Sequence, residues 1–448
     1  MFFVLYFLSA TTQPDFLPGI LAGESSSFEH LSGLPDRSEL LPDQCWEIEG
    51  GKVLAGTVAI SGAKNAAIKL ACAALLTDEW VHLSHVPQIG DMLLICQILQ
   101  DLGVEINRNG DKLSLRAHKL CSHRARYDLV RKMRGSFVLL GPMLARFGRA
   151  EISLPGGCNL GVRPVDIHLD GLRAMGAHIE LKDGCVIATG KLHGAEIFLH
   201  FPTVTGTENL VMAATLAIGK TVIKNAAKEP EIVDLCNCLN SMGAKITGQG
   251  TDVITIDGVD RLHGATHCII PDRVETVTYA IANIITKGKI FLTNTEAWCF
   301  NALITCCPEV ILHETDQGFW VEGPITQRVD VRTAPFPGIS TDLQPLLMVL
   351  ATQIPGQSFI TETIWENRMM HVPELCRMGA DIFVEHNDGA NKATINGGPS
   401  LYGAPVMATD LRASVSLVLA GLCAKGQTTV SRIYHLDRGY HALDEKLN

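Results

Sequence analysis

The chain has 448 residues, more than one ordinary hydrophobic core accommodates, so two domains are expected. With 47% apolar and only 19% charged residues it reads as a packed globular protein, which excludes an intrinsically disordered one. A formal net charge of −10 excludes a broad, non-specific nucleic-acid surface and leaves room for a local cationic pocket.

The first 45 residues differ in kind from the rest. Met1–Ala10 is an apolar run too short to span a membrane, and no Lys or Arg precedes Arg37, which argues against a signal peptide. The stretch is too acidic and too poor in arginine for an ordinary transit peptide. It reads as a disordered extension outside the core, with organellar targeting left open. Next, alternation over Val53–Ile60 predicts a strand, and Ala66–Leu76 predicts a helix. The turn Ser61-Gly62-Ala63-Lys64-Asn65 between them sets Lys64 and Asn65 at a helix start, where backbone N–H groups and a lysine favour an anion.

Four later segments share the pattern Leu-x-x-(Leu/Met)-Gly-(Ala/Val) followed by a β-like run: Leu99–Val104, Leu172–Ala177, Leu239–Ala244 and Leu375–Ala380. Each predicts a helix end, a glycine in the left-handed cap position and a returning strand. The glycines at 103, 176, 243 and 379 are separated by 73, 67 and 136 residues, the last gap close to twice the others. A period of this length is one supersecondary unit used repeatedly. Near residue 311 the pattern is degenerate, with Pro308 expected to shorten the helix, and a sixth unit reaches Asn448 without its returning strand. That arrangement predicts a strand edge left unpaired. The fold class expected is α/β, with six strand–helix units grouped into two globules and a ligand cleft between them.

Candidate chemistry is concentrated in loops. Leu154–His168 places Cys158 among Pro155, Gly156, Gly157 and Gly161, five residues before Arg163, so the thiol is a candidate for chemistry and the guanidinium for an anion. Arg134 precedes an apolar stretch and faces a helix N-terminus. Arg368 has Glu366 nearby as an ordinary partner, Arg412 has Asp410, and Arg438 has Asp437, so local ion pairs are the plain alternative for each. Asp342 opens an apolar helix, where a cap is the plain role and a general base for a sugar hydroxyl is the chemical one. Cationic loop residues recurring in successive units converge on one cleft and suit a substrate bearing phosphate and carboxylate. The fourteen cysteines form no Cys-x-x-Cys pair, and His263 and His267 have no matching cysteines, so no structural zinc and a reducing, cytoplasmic setting are expected.

At these motifs the chain resembles the UDP-N-acetylglucosamine 1-carboxyvinyltransferase family, the enolpyruvyl transferases of peptidoglycan synthesis. The resemblance runs from about Gly50 to Leu447. It rests on Ile60–Ala67, the Gly-Gly-Cys loop with Arg163-Pro164-Val165-Asp166, Glu366–Leu375, Asp410–Ser414 and Asp437–Tyr440. It implies two inside-out α/β barrels built from six βαβαββ units. The corresponding divisions are an extension 1–45, a discontinuous barrel 46–63 with 271–448, and a second barrel 64–270 carrying Cys158. It also implies transfer of enolpyruvyl from phosphoenolpyruvate to the 3′-hydroxyl of UDP-N-acetylglucosamine, with no metal or organic cofactor and no nucleic-acid or membrane partner.

By resemblance, Lys64, Arg163 and Arg438 hold phosphoenolpyruvate, Cys158 donates a proton, and Asp342 sits at the 3′-hydroxyl. Asn65, Asp91, Arg134, Ile364, Arg368 and Arg412 complete the charged cleft. Arg163, Pro164, Val165, Asp166 and Ile167, with Thr203, Val204, Thr205 and Gly206, surround the uridine diphosphate. Fosfomycin-type epoxides are expected to alkylate Cys158. The chain departs from the family at Thr205, which stands at a glycine position, and at the incomplete fifth and sixth units. A 3-phosphoshikimate 1-carboxyvinyltransferase-like enzyme and an inactive nucleotide-sugar-binding paralogue remain the alternatives.

Overall fold

A computed structural model describes residues 44–154, 165–323, 325–387 and 389–448. The expected extension up to residue 43, and the loop that carries Cys158, Arg163 and Pro164, lie outside the described residues. Cys45, counted above in the extension, instead opens the strand Cys45–Glu49. That strand runs antiparallel to Gln427–Ser431 in full register, because Trp46 and Ile48 bury their side chains against the core.

Among the described residues, four of the sheets repeat one pattern. A short strand runs parallel to a central strand, which continues into an antiparallel hairpin. In one, Ala265–Cys268 lies beside Val81–Ser84, followed by Lys112–Arg116 and Glu105–Asn109. Glu196–Phe198 begins the next, and Ala55–Ala59 and Asp330–Arg332 begin the other two. Two further sheets have three strands. In one of these Pro405–Met407 and Gln427–Ser431 are joined by Cys45–Glu49, which has no fourth strand beside it among the described residues.

Strands such as Val81–Ser84 and Lys112–Arg116 bury alternate residues, as sheets with one wet face do. The helices are different. Lys64–Ala73, Val204–Ala214, Arg273–Ile285 and Ala413–Cys423 are buried on nearly every side, as their dense apolar sequences require. Helices therefore fill the centre of each globule and sheets form its wall, which is the inside-out arrangement expected.

The repeated glycines explain the spacing of these elements. Gly103, Gly176, Gly243 and Gly379 have φ between +91° and +103°, which side chains rarely adopt. In each case the N–H after the glycine bonds back to the leucine that opens the pattern, at 2.9 to 3.1 Å. The fifth unit lacks this device. Its helix Asn301–Cys306 stops after six residues at Cys307, before Pro308.

Two apolar cores result. One draws on residues from Ala63 to Ile269, the other on Trp46–Ile60 together with Val274–Leu447. The chain passes between them twice, and the crossings lie side by side: Gly62 pairs with Pro271, Ala63 N–H donates to Ile270 O at 2.7 Å, and Asp272 N–H to Ser61 O at 2.9 Å.

Candidate functional site

Both crossings end at helix starts, so polar groups collect where the two cores meet. Lys64 is the first residue of the helix Lys64–Ala73, which has no side-chain cap of its own. Its backbone N–H is taken instead by Asp272 Oδ2 at 3.1 Å, while Asp272 Oδ1 caps Val274 and Glu275 of the helix from the other core. One carboxylate thus serves helices of both globules. The Lys64 ammonium lies 3.0 Å from Asp91 Oδ2, and Arg438 Nε donates to Asp91 Oδ1 at 2.8 Å. Burial pushes Lys64 down from its ordinary value against the pull of Asp91, and Arg412 and Arg438 add to the push. Burial resists charge on Asp91 too, but Lys64 and Arg438 overcome it and hold the carboxyl below its usual range.

A second set faces this one. Asp342 does not cap its helix: Gln344–Thr352 begins after Leu343, and the Asp342 carboxylate is turned to two arginines. Arg368 Nη2 lies 2.9 Å from its Oδ1, and Arg412 Nε 3.5 Å from its Oδ2. Burial opposes ionisation, yet Arg412 and Arg368, with Lys64 and Arg273 behind them, hold Asp342 down at about 2. Arg368 is only 1% exposed, and its Nε reaches Thr341 O at 3.1 Å and its Nη1 Asp410 at 3.4 Å. Arg412 lies under the Tyr440 ring at 5.5 Å and pairs with Asp272 at 3.6 Å. Its Nη2 makes that Asp272 contact and the Tyr440 hydroxyl is a further partner, so the buried guanidinium is held by long contacts that a stronger anion can replace.

These partners correct the local pairings expected from sequence. Arg368 turns to Asp342 and Asp410, and Glu366 is exposed. Arg412 takes Asp410 only through its backbone N–H, and its side chain reaches Asp272 and Asp342. Arg438 reaches Asp91, far away in sequence, in addition to any neighbour.

The remaining expected residues fall into two places. Asn65 is half-buried beside Lys64, and Ile364 lies on the loop that Glu362 ties down. Glu362 Oε1 accepts Ile364 N–H at 2.7 Å, and its Oε2 accepts the Thr341 hydroxyl at 2.9 Å. Val165 precedes the helix Asp166–Ala174, where Asp166 and Ile167 form the first turn, and Thr203 caps the helix Val204–Ala214 through Gly206 N–H at 3.3 Å. These two helix starts are neighbours: Thr205 Oγ1 lies 3.4 Å from His168 Nε2, and His168 Nδ1 lies 3.1 Å from Asn209 Nδ2. Burial, aided by the charge of Arg134, pushes His168 down to about 4, so the ring is neutral near pH 7. Arg134 opens the adjoining 3-10 turn Arg134–Leu139. Sequence reasoning missed Asp272 and took Asp410 only as a partner for Arg412, although each stands just before an apolar helix as N-cap residues do.

The geometry describes an interdomain site in which carboxylates alternate with cations. Among the described residues no group of three or more His, Cys, Asp or Glu side chains is arranged to hold a metal ion, and no helix is long and apolar enough to cross a membrane.

Comparison with known proteins gives a consistent set. The family model described as EPSP synthase (3-phosphoshikimate 1-carboxyvinyltransferase) matches residues 48–447. The UDP-N-acetylglucosamine 1-carboxyvinyltransferase of Caulobacter vibrioides is 51% identical over 410 residues, covering 89% of this chain and 95% of that protein. Its counterpart from Paramagnetospirillum magneticum is 52% identical over 417 residues, with the same two coverages. Among solved structures, the enolpyruvyl transferase NikO from Streptomyces tendae superposes with a TM-score of 0.79 at 25% identity, over 90% of this chain and 96% of that one. An EPSP synthase from Acinetobacter baumannii, at 18% identity and a TM-score of 0.70 over 89% of this chain and 96% of that one, shares the fold.

Proposed function

The chain belongs to the UDP-N-acetylglucosamine 1-carboxyvinyltransferases of the enolpyruvyl transferase family, and from that premise we propose that it transfers enolpyruvyl from phosphoenolpyruvate to the 3′-hydroxyl of UDP-N-acetylglucosamine, releasing phosphate. The observation that carries the reading is the buried Arg412, held by ion pairs of 3.5 and 3.6 Å, beside Lys64, Arg368 and Arg438 at the junction of the two cores. Both substrates are anions bearing phosphate, and planar guanidiniums suit them.

In this reading Lys64 and Arg438, with Arg163, hold the phosphate and carboxylate of phosphoenolpyruvate. Cys158 delivers a proton to the methylene carbon. The neighbouring carbon gains cationic character and is attacked by the 3′-oxygen, whose proton passes to Asp342. A methyl proton then returns to the Cys158 thiolate while the proton on Asp342 leaves with phosphate, and the enol ether remains. Asp342 is ionised at any physiological pH, and its two arginines make it a weak acceptor until substrate anions draw on them. Arg134, Val165–Ile167 and Thr203–Gly206 bind the nucleotide end, with Thr205 adding a hydroxyl where the family has glycine. The proposed setting is cytoplasmic, which the free thiols suit.

Phosphate release measured with phosphoenolpyruvate and either UDP-N-acetylglucosamine or shikimate 3-phosphate tests the reading. Release only with the nucleotide sugar is expected, with alkylation of Cys158 by fosfomycin abolishing it. Release only with shikimate 3-phosphate, or nucleotide-sugar binding without release, overturns it. A Cys158→Ser variant that reacts with the epoxide as fast as the native chain overturns the role given to Cys158.

A further inference from the structure

One side chain spans both crossings and takes no part in the chemistry above. His85 stands at the corner after the strand Val81–Ser84, with φ +59°. Its Nδ1 lies 3.0 Å from the carbonyl oxygen of Ile269, and its Nε2 lies 3.0 Å from that of Ile60. Ile269 leads into the return crossing and Ile60 into the outward one.

The internal repeat supplies a comparison. Asn225 occupies the same corner after Lys220–Lys224, with φ +57°, and its Nδ2 donates to Leu199 O at 2.7 Å. Leu199 follows the parallel neighbour strand Glu196–Phe198, just as Ile269 follows Ala265–Cys268. His85 therefore makes the bond common to the two units and adds a second, to Ile60. Both partners are carbonyls, which only accept. A neutral imidazole carries one N–H and an imidazolium two, so only the protonated ring satisfies both contacts. A neutral ring leaves a lone pair facing one carbonyl oxygen.

What lies beyond His85 gives the clamp its consequence. Ile60 begins the run Ile60-Ser61-Gly62-Ala63-Lys64, and the run after His85 leads to Asp91. The two segments are pressed together here: a Cβ on Gly62 would stand 1.7 Å from the His85 carbonyl oxygen. They deliver the two halves of the Lys64–Asp91 pair.

We propose that His85 is a positioning residue whose protonated ring joins the outward and return crossings and so sets Lys64 against Asp91. The proposal rests on the anion-binding role given to Lys64 above. The charged and titratable groups on the elements packed about the crossings are Lys64 and Asp91, then Asp272 and Glu275 from the return side. Lys446 and His441 of the C-terminal segment are both bonded to Ser61 Oγ, at 2.9 and 3.3 Å, and Arg108 Nη2 donates to Pro87 O at 3.4 Å beside the run after His85. Loss of the Ile60 bond frees the segment that carries Lys64, so phosphoenolpyruvate binding weakens more than turnover does.

The test compares the native chain with His85→Asn from pH 5.5 to 8.5, by phosphate-release kinetics and by amide hydrogen exchange of residues 60–64 and 269–272 without substrates. In the native chain, protection of 60–64, corrected for intrinsic exchange, is expected to be lower and KM for phosphoenolpyruvate higher at pH 8.5 than at pH 5.5. His85→Asn, which retains the Ile269 bond, is expected to be loose at 60–64 at every pH, with KM up about 10-fold, the worth of one charge-assisted bond, and kcat within about 2-fold. A native chain with pH-independent exchange at 60–64, or a variant whose KM follows the native pH profile, overturns the proposal. Expected exchange without phosphate release in the native chain refutes the proposed function and leaves the clamp standing. Release with flat exchange refutes the clamp alone.

Discussion

Asp342 and Glu208 are both carboxylates set against cations, and their proton affinities move in opposite directions. Asp342, at the junction of the two cores, is held down at about 2 because Arg412 and Arg368 outweigh its burial. Glu208 is wholly buried in the helix Val204–Ala214 and faces one cation, Lys69 Nζ at 3.3 Å. Burial, reinforced by Glu231 and Glu229, outweighs the charge and hydrogen bond of Lys69 and pushes it to about 7. At the junction each carboxylate is shared by two cations: Asp91 by Lys64 and Arg438, Asp342 by Arg368 and Arg412. Such a lattice keeps its charges and can exchange an internal anion for an external one. The core pair is closed on itself and has nothing to offer a ligand.

Breaking the junction is expected to have the largest effect. Arg412→Met should lower kcat/KM for phosphate release by about 10³-fold, roughly 4 kcal/mol, because Asp342 and Asp272 lose a shared partner and the substrate loses its donors. Arg412→Lys should recover little of that, since an ammonium cannot reach both carboxylates in a fixed fork. Breaking the core pair should act on stability instead. Lys69→Met leaves Glu208 alone in an apolar interior and should cost about 3 kcal/mol in urea denaturation at pH 8, and less at pH 5, where Glu208 is protonated.

Titration separates the two sites by sign. Glu208 takes up its proton more readily folded than unfolded, so its contribution is fully present below about pH 4.5 and is lost as pH rises through about 7, on the order of 3 kcal/mol. Asp342 does the reverse: its contribution, about 2 kcal/mol, is present above about pH 4 and lost as pH falls toward 2. Denaturation midpoints across both windows check this. The smallest effect is expected from replacing both core partners, Lys69→Leu with Glu208→Leu. Stability at pH 7 should stay within about 1 kcal/mol, the slope between pH 5 and 8 should flatten, and phosphate release should be unchanged. A double variant as damaged as Lys69→Met, or as inactive as Arg412→Met, would erase the distinction between the two sites.

The architecture was readable where the signal is local. A glycine that must take positive φ after a leucine-led helix leaves the same mark each time, so Gly103, Gly176, Gly243 and Gly379 make the repeat legible in the sequence. The short fifth helix followed equally from Pro308. Charge pairing did not follow. The acid nearest Arg368 in sequence is Glu366, but burial leaves the guanidinium no route to it, and the chain folds Asp342 and Asp410 against it instead. Asp272 escaped notice because its two duties, capping one helix and receiving Lys64 N–H from another, exist only once two distant segments are side by side. His85 was invisible for the same reason: both its partners are backbone carbonyls, which no residue type advertises.

The adjacency of Ala63 and Ile270, joined by a 2.7 Å bond, has a consequence for how such a protein is put together. The globule between them enters and leaves its host at a single doorway, so the host's own strands on either side need no rearrangement to admit it. Closing the host across that doorway would take a short turn and little chain entropy. The inner globule is thus built like an inserted cassette, and the face proposed above to bind the nucleotide belongs wholly to it.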